Sequence, residues 1–126
     1  MNDELLKKLR YKKGLAQVWN APDGYSLGIE SADDSDGKYA FVQLFVWDLE
    51  EVMLSLPKLF ESLEEDAVCW ITYPKQRSSI KTDINRDILA NFISEKTDYR
   101  VVSNISIDDT WSALRLREKN KVKSKF

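Results

Sequence analysis

The run Ala67-Val68-Cys69-Trp70-Ile71-Thr72-Tyr73 carries no charge and is rich in β-branched and aromatic residues. Such a run reads as a strand buried on both faces, which demands cover on each side of a sheet. A basic loop follows, then an amphipathic segment, then two more apolar runs at residues 100–107 and 111–117 hinged on Asp108-Asp109-Thr110. If the strands flanking the helix are parallel, a crossover brings Tyr73-Pro74-Lys75 and Asp108-Asp109-Thr110-Trp111 to one edge of one sheet. Open α/β sheets bind their ligands at that edge. The order of elements is therefore more legible than the chemistry they carry.

A chain of 126 residues is most simply one domain with one core, here read as residues 1–118 with a basic tail from 119 to 126. Hydrophobic residues make up 43% and aromatics 11%, enough burial potential for a folded globule. The 19 basic and 21 acidic side chains leave a net charge of −2, so no overall field attracts nucleic acid or a membrane surface.

Two absences remove whole classes of mechanism. The chain has no histidine, so a Ser–His–Asp or Cys–His arrangement cannot form within it. Its single cysteine, Cys69, excludes an intrachain disulfide and a thiolate zinc framework. Lying between Val68 and Trp70, that thiol reads as a packing residue. No transition metal and no cofactor are expected. The acidic start Met1-Asn2-Asp3-Glu4 has no h-region after it, and no apolar run approaches spanning length, so a cytoplasmic protein without a membrane partner is expected.

Residues 3–10 read as a short helix with Leu5, Leu6 and Leu9 on one face. Residues 15–19 and 39–47 read as strands, the second interior because only Gln43 interrupts its apolar character. The apolar positions Leu49, Val52, Met53, Leu56, Leu59, Phe60 and Leu63 keep helical spacing. Pro57 falls inside that pattern, which predicts a kink or two abutting helices, with Ser55 capping the second. Thr82 or Asp83 is expected to cap the next helix, whose stripe is Ile84, Ile88, Leu89, Phe92 and Ile93.

The pattern predicts an α/β fold: a small three-layer, Rossmann-like sheet, mostly parallel, ending in an antiparallel β-hairpin. The chain also resembles a family of small bacterial proteins described as domain of unknown function 3052. The stretches that carry the resemblance are Lys8-Leu9-Arg10-Tyr11-Lys12-Lys13-Gly14, Asn20-Ala21-Pro22-Asp23-Gly24-Tyr25 and Leu44-Phe45-Val46. They continue in Trp70-Ile71-Thr72-Tyr73-Pro74-Lys75, Lys81-Thr82-Asp83-Ile84-Asn85-Arg86-Asp87 and Asp108-Asp109-Thr110-Trp111-Ser112-Ala113-Leu114. The resemblance implies no activity, cofactor or catalytic residue.

The candidate ligand site is the shared sheet edge: Asn20, Asp23, Tyr73, Lys75, Arg77, Lys81, Asp108, Asp109 and Trp111. Lys75, Arg77 and Lys81 precede a helix start, where unpaired N–H groups favour an anion. The plainer alternative has these bases paired with Asp87, Asp108 and Asp109 as a latch, and it is preferred because no glycine-rich cradle is present. Gly24 and Gly28 are isolated and make no dinucleotide fingerprint. The Asp34-Ser35-Asp36-Gly37 run fails the calcium-loop pattern at Ala32 and Gln43. Trp47, Tyr73 and Trp111 are expected to plug strand ends rather than wall a planar ligand. The tail lysines, with Lys7, Lys8, Lys12 and Lys13, read as solvated rather than as a nucleic-acid surface.

The leading expectation is a non-catalytic binding or regulatory domain for an anionic small molecule or a protein partner. The alternative is an enzyme on a reduced, methyltransferase-like scaffold acting on a phosphorylated or adenylated substrate, with Asp108 or Asp109 as acid–base and Lys75 or Lys81 as stabiliser. A third class is an interaction protein that uses the helix surface around Pro57.

Overall fold

The computed structural model of the protein describes residues 3–11, 16–23, 25, 39–75 and 82–119. They form α1 (Asp3–Lys8), β1 (Ala16–Trp19), β2 (Tyr39–Phe45), α2 (Leu49–Glu61), β3 (Leu63–Pro74), α3 (Arg86–Lys96), β4 (Tyr99–Ser106) and β5 (Trp111–Glu118). The five strands make one mixed sheet in the order β1-β2-β3-β5-β4. β1, β2 and β3 are parallel neighbours, whereas β5 runs antiparallel to both β3 and β4.

That order is not Rossmann-like, and the expectation is corrected here. A doubly wound sheet reverses its strand order at a switch point. In this chain the order advances from β1 to β3, α3 then carries the chain one place beyond, and β5 returns into the gap. α2 and α3 also share one core cluster, Val52, Leu56 and Leu59 meeting Leu89 and Ile93 over Val42, Leu44, Cys69 and Ile71. The alternate residues Phe41, Trp70 and Ala113 join Leu9 and Ala16 in a second cluster on the opposite face.

Strand alternation explains why β2 and β3 are interior. In residues 41–46 every side chain is buried, Val42, Leu44 and Val46 in the first cluster and Phe41 in the second. Gln43 and Thr72 are buried too, and they satisfy each other: Gln43 Nε2 donates to Thr72 Oγ1 at 2.9 Å, and Tyr25 Oη donates to Gln43 Oε1 at 2.7 Å.

α2 is one unbroken helix, so neither two abutting helices nor a Ser55 cap forms. Its N-cap is Asp48, whose Oδ1 accepts from Glu51 N at 2.9 Å, while Glu51 Oε1 accepts from Trp47 N at 2.6 Å. This reciprocal pair of bonds fixes the helix start. Pro57 is exposed, and the helix continues through it without the backbone bond to the Met53 carbonyl. Leu63 leaves the helical stripe because the helix ends at Ser62 and β3 begins at Leu63.

α3 is capped by Asn85, not by Thr82 or Asp83: Asn85 Oδ1 accepts from Ile88 N at 2.9 Å. The two expected caps bond instead to the segment that opens α2. Asp83 Oδ1 accepts from Leu49 N at 2.9 Å, and Thr82 Oγ1 donates to Trp47 O at 2.6 Å. Of the expected stripe, Leu89 and Ile93 are buried and Ile84 is buried just before the helix, but Ile88 is 42% exposed.

Candidate functional site

Parallel pairing places the C-terminal ends of β1, β2 and β3 on one edge of the sheet. Pro74 stands opposite Trp111 and Ser106 opposite Ser112, so the turn at residues 107–110 arrives at that same edge. Hydrogen bonds hold it there. Lys75 N donates to Thr110 O at 2.7 Å, and Lys75 Nζ to Ser106 Oγ at 2.6 Å. From the N-terminal helix, Lys8 Nζ reaches Ser106 O at 2.7 Å.

The seven expected site residues that are described fall in different surroundings. Tyr73, Lys75 and Asp109 line one open cleft of about 620 Å³. Asn85, Arg86 and Asp87 from the start of α3 form another part of its wall, with Asn104 of β4 and Ser112 of β5. A space of this size suits a small molecule. Trp111 is not part of that lining. It lies edge-on to Phe45 and Trp47, with ring centroids 5.0 and 5.1 Å apart, and Phe45 in turn meets Tyr25 at 4.7 Å. Trp47 and Trp111 close the sheet end with these rings, whereas Tyr73, expected beside them, lines the cleft.

Asn20 adopts the left-handed conformation at φ 61° and sets its Nδ2 3.5 Å from Glu51 Oε2, beside the start of α2. Asp23 is exposed in the turn closed by Tyr25 N donating to Pro22 O at 3.1 Å. Neither lines the cleft. Arg77 and Lys81 lie outside the described residues, as do Gly24, Gly28, the 34–37 run and residues 120–126.

Asp108 builds the turn. Its Oδ1 accepts from both Thr110 N and Trp111 N at 2.8 Å, the use of an aspartate expected where a chain reverses. Asp87 pairs with its own neighbour Arg86 at 3.5 Å, both side chains well exposed. Among the described residues Asp109 makes no ion pair.

Tyr73 forms the floor of the cleft and is only 5% exposed. Burial raises its phenol pKa above the usual value; the hydrogen bond with Ser112 and the charge of Arg86 pull the other way, and Asp87 adds to the rise. At neutral pH it presents a neutral hydroxyl. Asn85, Arg86, Asn104 and Ser112 were missed by sequence reasoning. The Asn85-Arg86-Asp87 start of α3 carried a capping signal for the first of them. The outward alternation of β4 carried one for Asn104.

The described residues contain no group of three or more His, Cys, Asp or Glu side chains able to hold a metal ion. No helix among them is long and apolar enough to cross a membrane. A second, mostly apolar groove of about 420 Å³ runs between α2 and α3, with Met53, Pro57, Phe60, Phe92 and Tyr99 in its walls. Phe60 and Tyr99 stack there, ring centroids 4.0 Å apart and 2° from parallel.

The chain was compared with protein-family models, curated proteins and solved structures. None matches it.

Proposed function

We propose that the protein is a non-catalytic binding domain that holds a small molecule bearing an anionic group in the cleft at the C-terminal edge of its sheet. What carries the reading is the convergence of Lys75 and Arg86, from separate elements, on one polar cleft floored by the neutral Tyr73 hydroxyl. Two cationic side chains from different elements supply an anion with donors at both sides. The neutral remainder of the ligand meets Tyr73, Asn104 and Ser112. The layering assumed here has α2 and α3 on one face, the α1 segment on the other, and β4–β5 closing the sheet as a hairpin. Kinship with domain of unknown function 3052, and with it a bacterial and cytoplasmic setting, belongs to the same proposal and rests on the motif resemblance.

Of the two acid–base candidates, Asp108 is occupied by two turn N–H donors and is poorly placed to exchange a proton with a substrate. Calorimetry of the whole chain against phosphate, nucleotides and small carboxylates tests the reading. At least one should bind, and changing Lys75 and Arg86 together to Ala should abolish the heat. Both side chains contribute to surface contacts, so stability should fall by no more than about 1 kcal/mol. Absence of any binding in the wild type, with a large stability loss in the double variant, would make the edge a structural latch.

A further inference from the structure

The outward face of α2 carries a stripe that is complementary to itself. Leu54, 74% exposed, stands between Glu50 one turn before it and Lys58 one turn after it, the i, i+4 and i+8 positions of one helix face. We infer that the protein pairs with a second copy of itself through this face, the two α2 helices lying antiparallel across a two-fold axis at Leu54. Glu50 of each chain then meets Lys58 of the other.

α2 buries Val52, Leu56 and Leu59, so Glu50, Leu54 and Lys58 point away from the core. Leu54 is the most exposed large hydrophobic side chain among the described residues, and Met53 beside it is 50% exposed. With the exposed Pro57 they make an apolar strip that runs on over Phe60 and Phe92 into the groove between α2 and α3. A lone exposed leucine needs no partner, but a continuous apolar strip with charges at its flanks is the form an interaction surface takes.

Charge decides which partner fits. Among the described residues neither Glu50 nor Lys58 is in an ion pair, and the Lys58 ammonium lies over the Trp19 ring, 5.9 Å from its centroid. The two are about 12 Å apart along the helix axis, too far to pair with each other. In a two-fold contact residue i meets j and j meets i, so this one stripe supplies both halves of two ion pairs. Parallel helices would set Glu50 against Glu50 and Lys58 against Lys58, and like charges repel. Antiparallel helices also bring the negative end of each macrodipole beside the positive end of the other. Glu61 lies almost a turn beyond Lys58, where crossing helices have diverged.

Sedimentation velocity of the whole chain, over a range of protein and salt concentrations, tests the inference. A species of twice 14.6 kDa should form as the protein is concentrated and weaken as salt rises. Leu54→Lys alters no buried position, so it should sediment as a single chain and keep the wild-type thermal midpoint. Glu50→Lys should weaken association by about ten-fold, and adding Lys58→Glu to it should restore association to within about three-fold of wild type, because both pairs re-form with reversed sign. A single chain at every concentration overturns the inference, and so does a dimer that survives Leu54→Lys. A dimer lost in Leu54→Lys but not recovered by the charge exchange overturns the antiparallel pairing of Glu50 with Lys58.

Discussion

The indole Nε1 of Trp70 donates a 2.7 Å hydrogen bond to the backbone oxygen of Leu9, 61 residues earlier in the chain, and both residues are fully buried. The bond joins the central strand to the segment that ends α1. A helix of 6 residues has no stability of its own, so its place is set by this bond and by the packing of Leu9 against Trp70, Phe41 and Ala113.

Trp70→Ala is therefore expected to destabilise the protein by about 3–5 kcal/mol, the range for deleting a large buried aromatic. Trp70→Phe keeps most of the packing but leaves the Leu9 oxygen without its donor, at about 1–3 kcal/mol. Urea unfolding measures both. A loss below about 1 kcal/mol for the alanine variant would show that β3 is not the centre of the core.

Pro57 offers the opposite sign. Because α2 continues through it, Pro57→Ala restores the backbone bond to the Met53 carbonyl and removes the ring's clash, worth about 3 kcal/mol in a helix interior. Greater freedom of the unfolded chain takes back roughly 0.4–1 kcal/mol. A net gain of about 2–2.6 kcal/mol should appear as a higher thermal midpoint. A lower one would mean that the proline ring, which lines the α2–α3 groove, contributes more by packing than it costs the helix.

Cys69 is buried completely, and burial pushes its thiol pKa up to about 12 against a smaller opposing pull from Arg115. The thiolate is the reactive form, so the native protein should not react with Ellman's reagent at pH 8 on the timescale of a free thiol. One equivalent should be released once urea unfolds the chain. Rapid stoichiometric labelling of the native protein would contradict the packing role.

Stability should decline at high pH. Burial raises Tyr25 from 10.0 to about 12, with the Gln43 hydrogen bond opposing and Asp108 adding. Tyr99 also moves from 10.0 to about 12, through burial first and then the charges of Glu118, Cys69 and Asp98. Each folded pKa lies above its unfolded value, so the native state holds the proton more tightly. Their contribution is whole below pH 10 and is lost as pH rises toward 12. Cys69 extends the decline down to about pH 9, its ordinary value being 9.0. Urea midpoints measured from pH 8 to 11 should fall, and Tyr25→Phe with Tyr99→Phe should flatten the curve. A midpoint independent of pH over that range would refute the assignment.

Much of the fold was legible because its signals are local. The uncharged run at 67–73 marked a central strand, and the apolar residues around Gln43 marked an interior one. The turn at Asp108-Asp109-Thr110 was legible for the same reason, since an aspartate that binds the N–H groups two and three residues on acts within its own segment. Pro57 pointed to two abutting helices, but α2 runs on through it, because one lost backbone bond is outweighed by the packing of Val52, Leu56 and Leu59. Thr82 and Asp83 misled because they bond to the start of α2, remote in sequence, rather than to the helix that follows.

The candidate site was legible only as an edge. Sequence placed Tyr73, Lys75, Asp109 and Trp111 there together. Only the sheet's two-sidedness separates Trp111, among Phe45 and Trp47, from the cleft that the other three share. Arg86, Asn104 and Ser112 enter that cleft because β5 returns between β3 and β4, a pairing no local pattern encodes. Periodicity, capping and turn chemistry act over a few residues and are written in the chain itself. Strand order depends on contacts among segments tens of residues apart, which compete for the same open edge, and only the assembled sheet decides which of them wins.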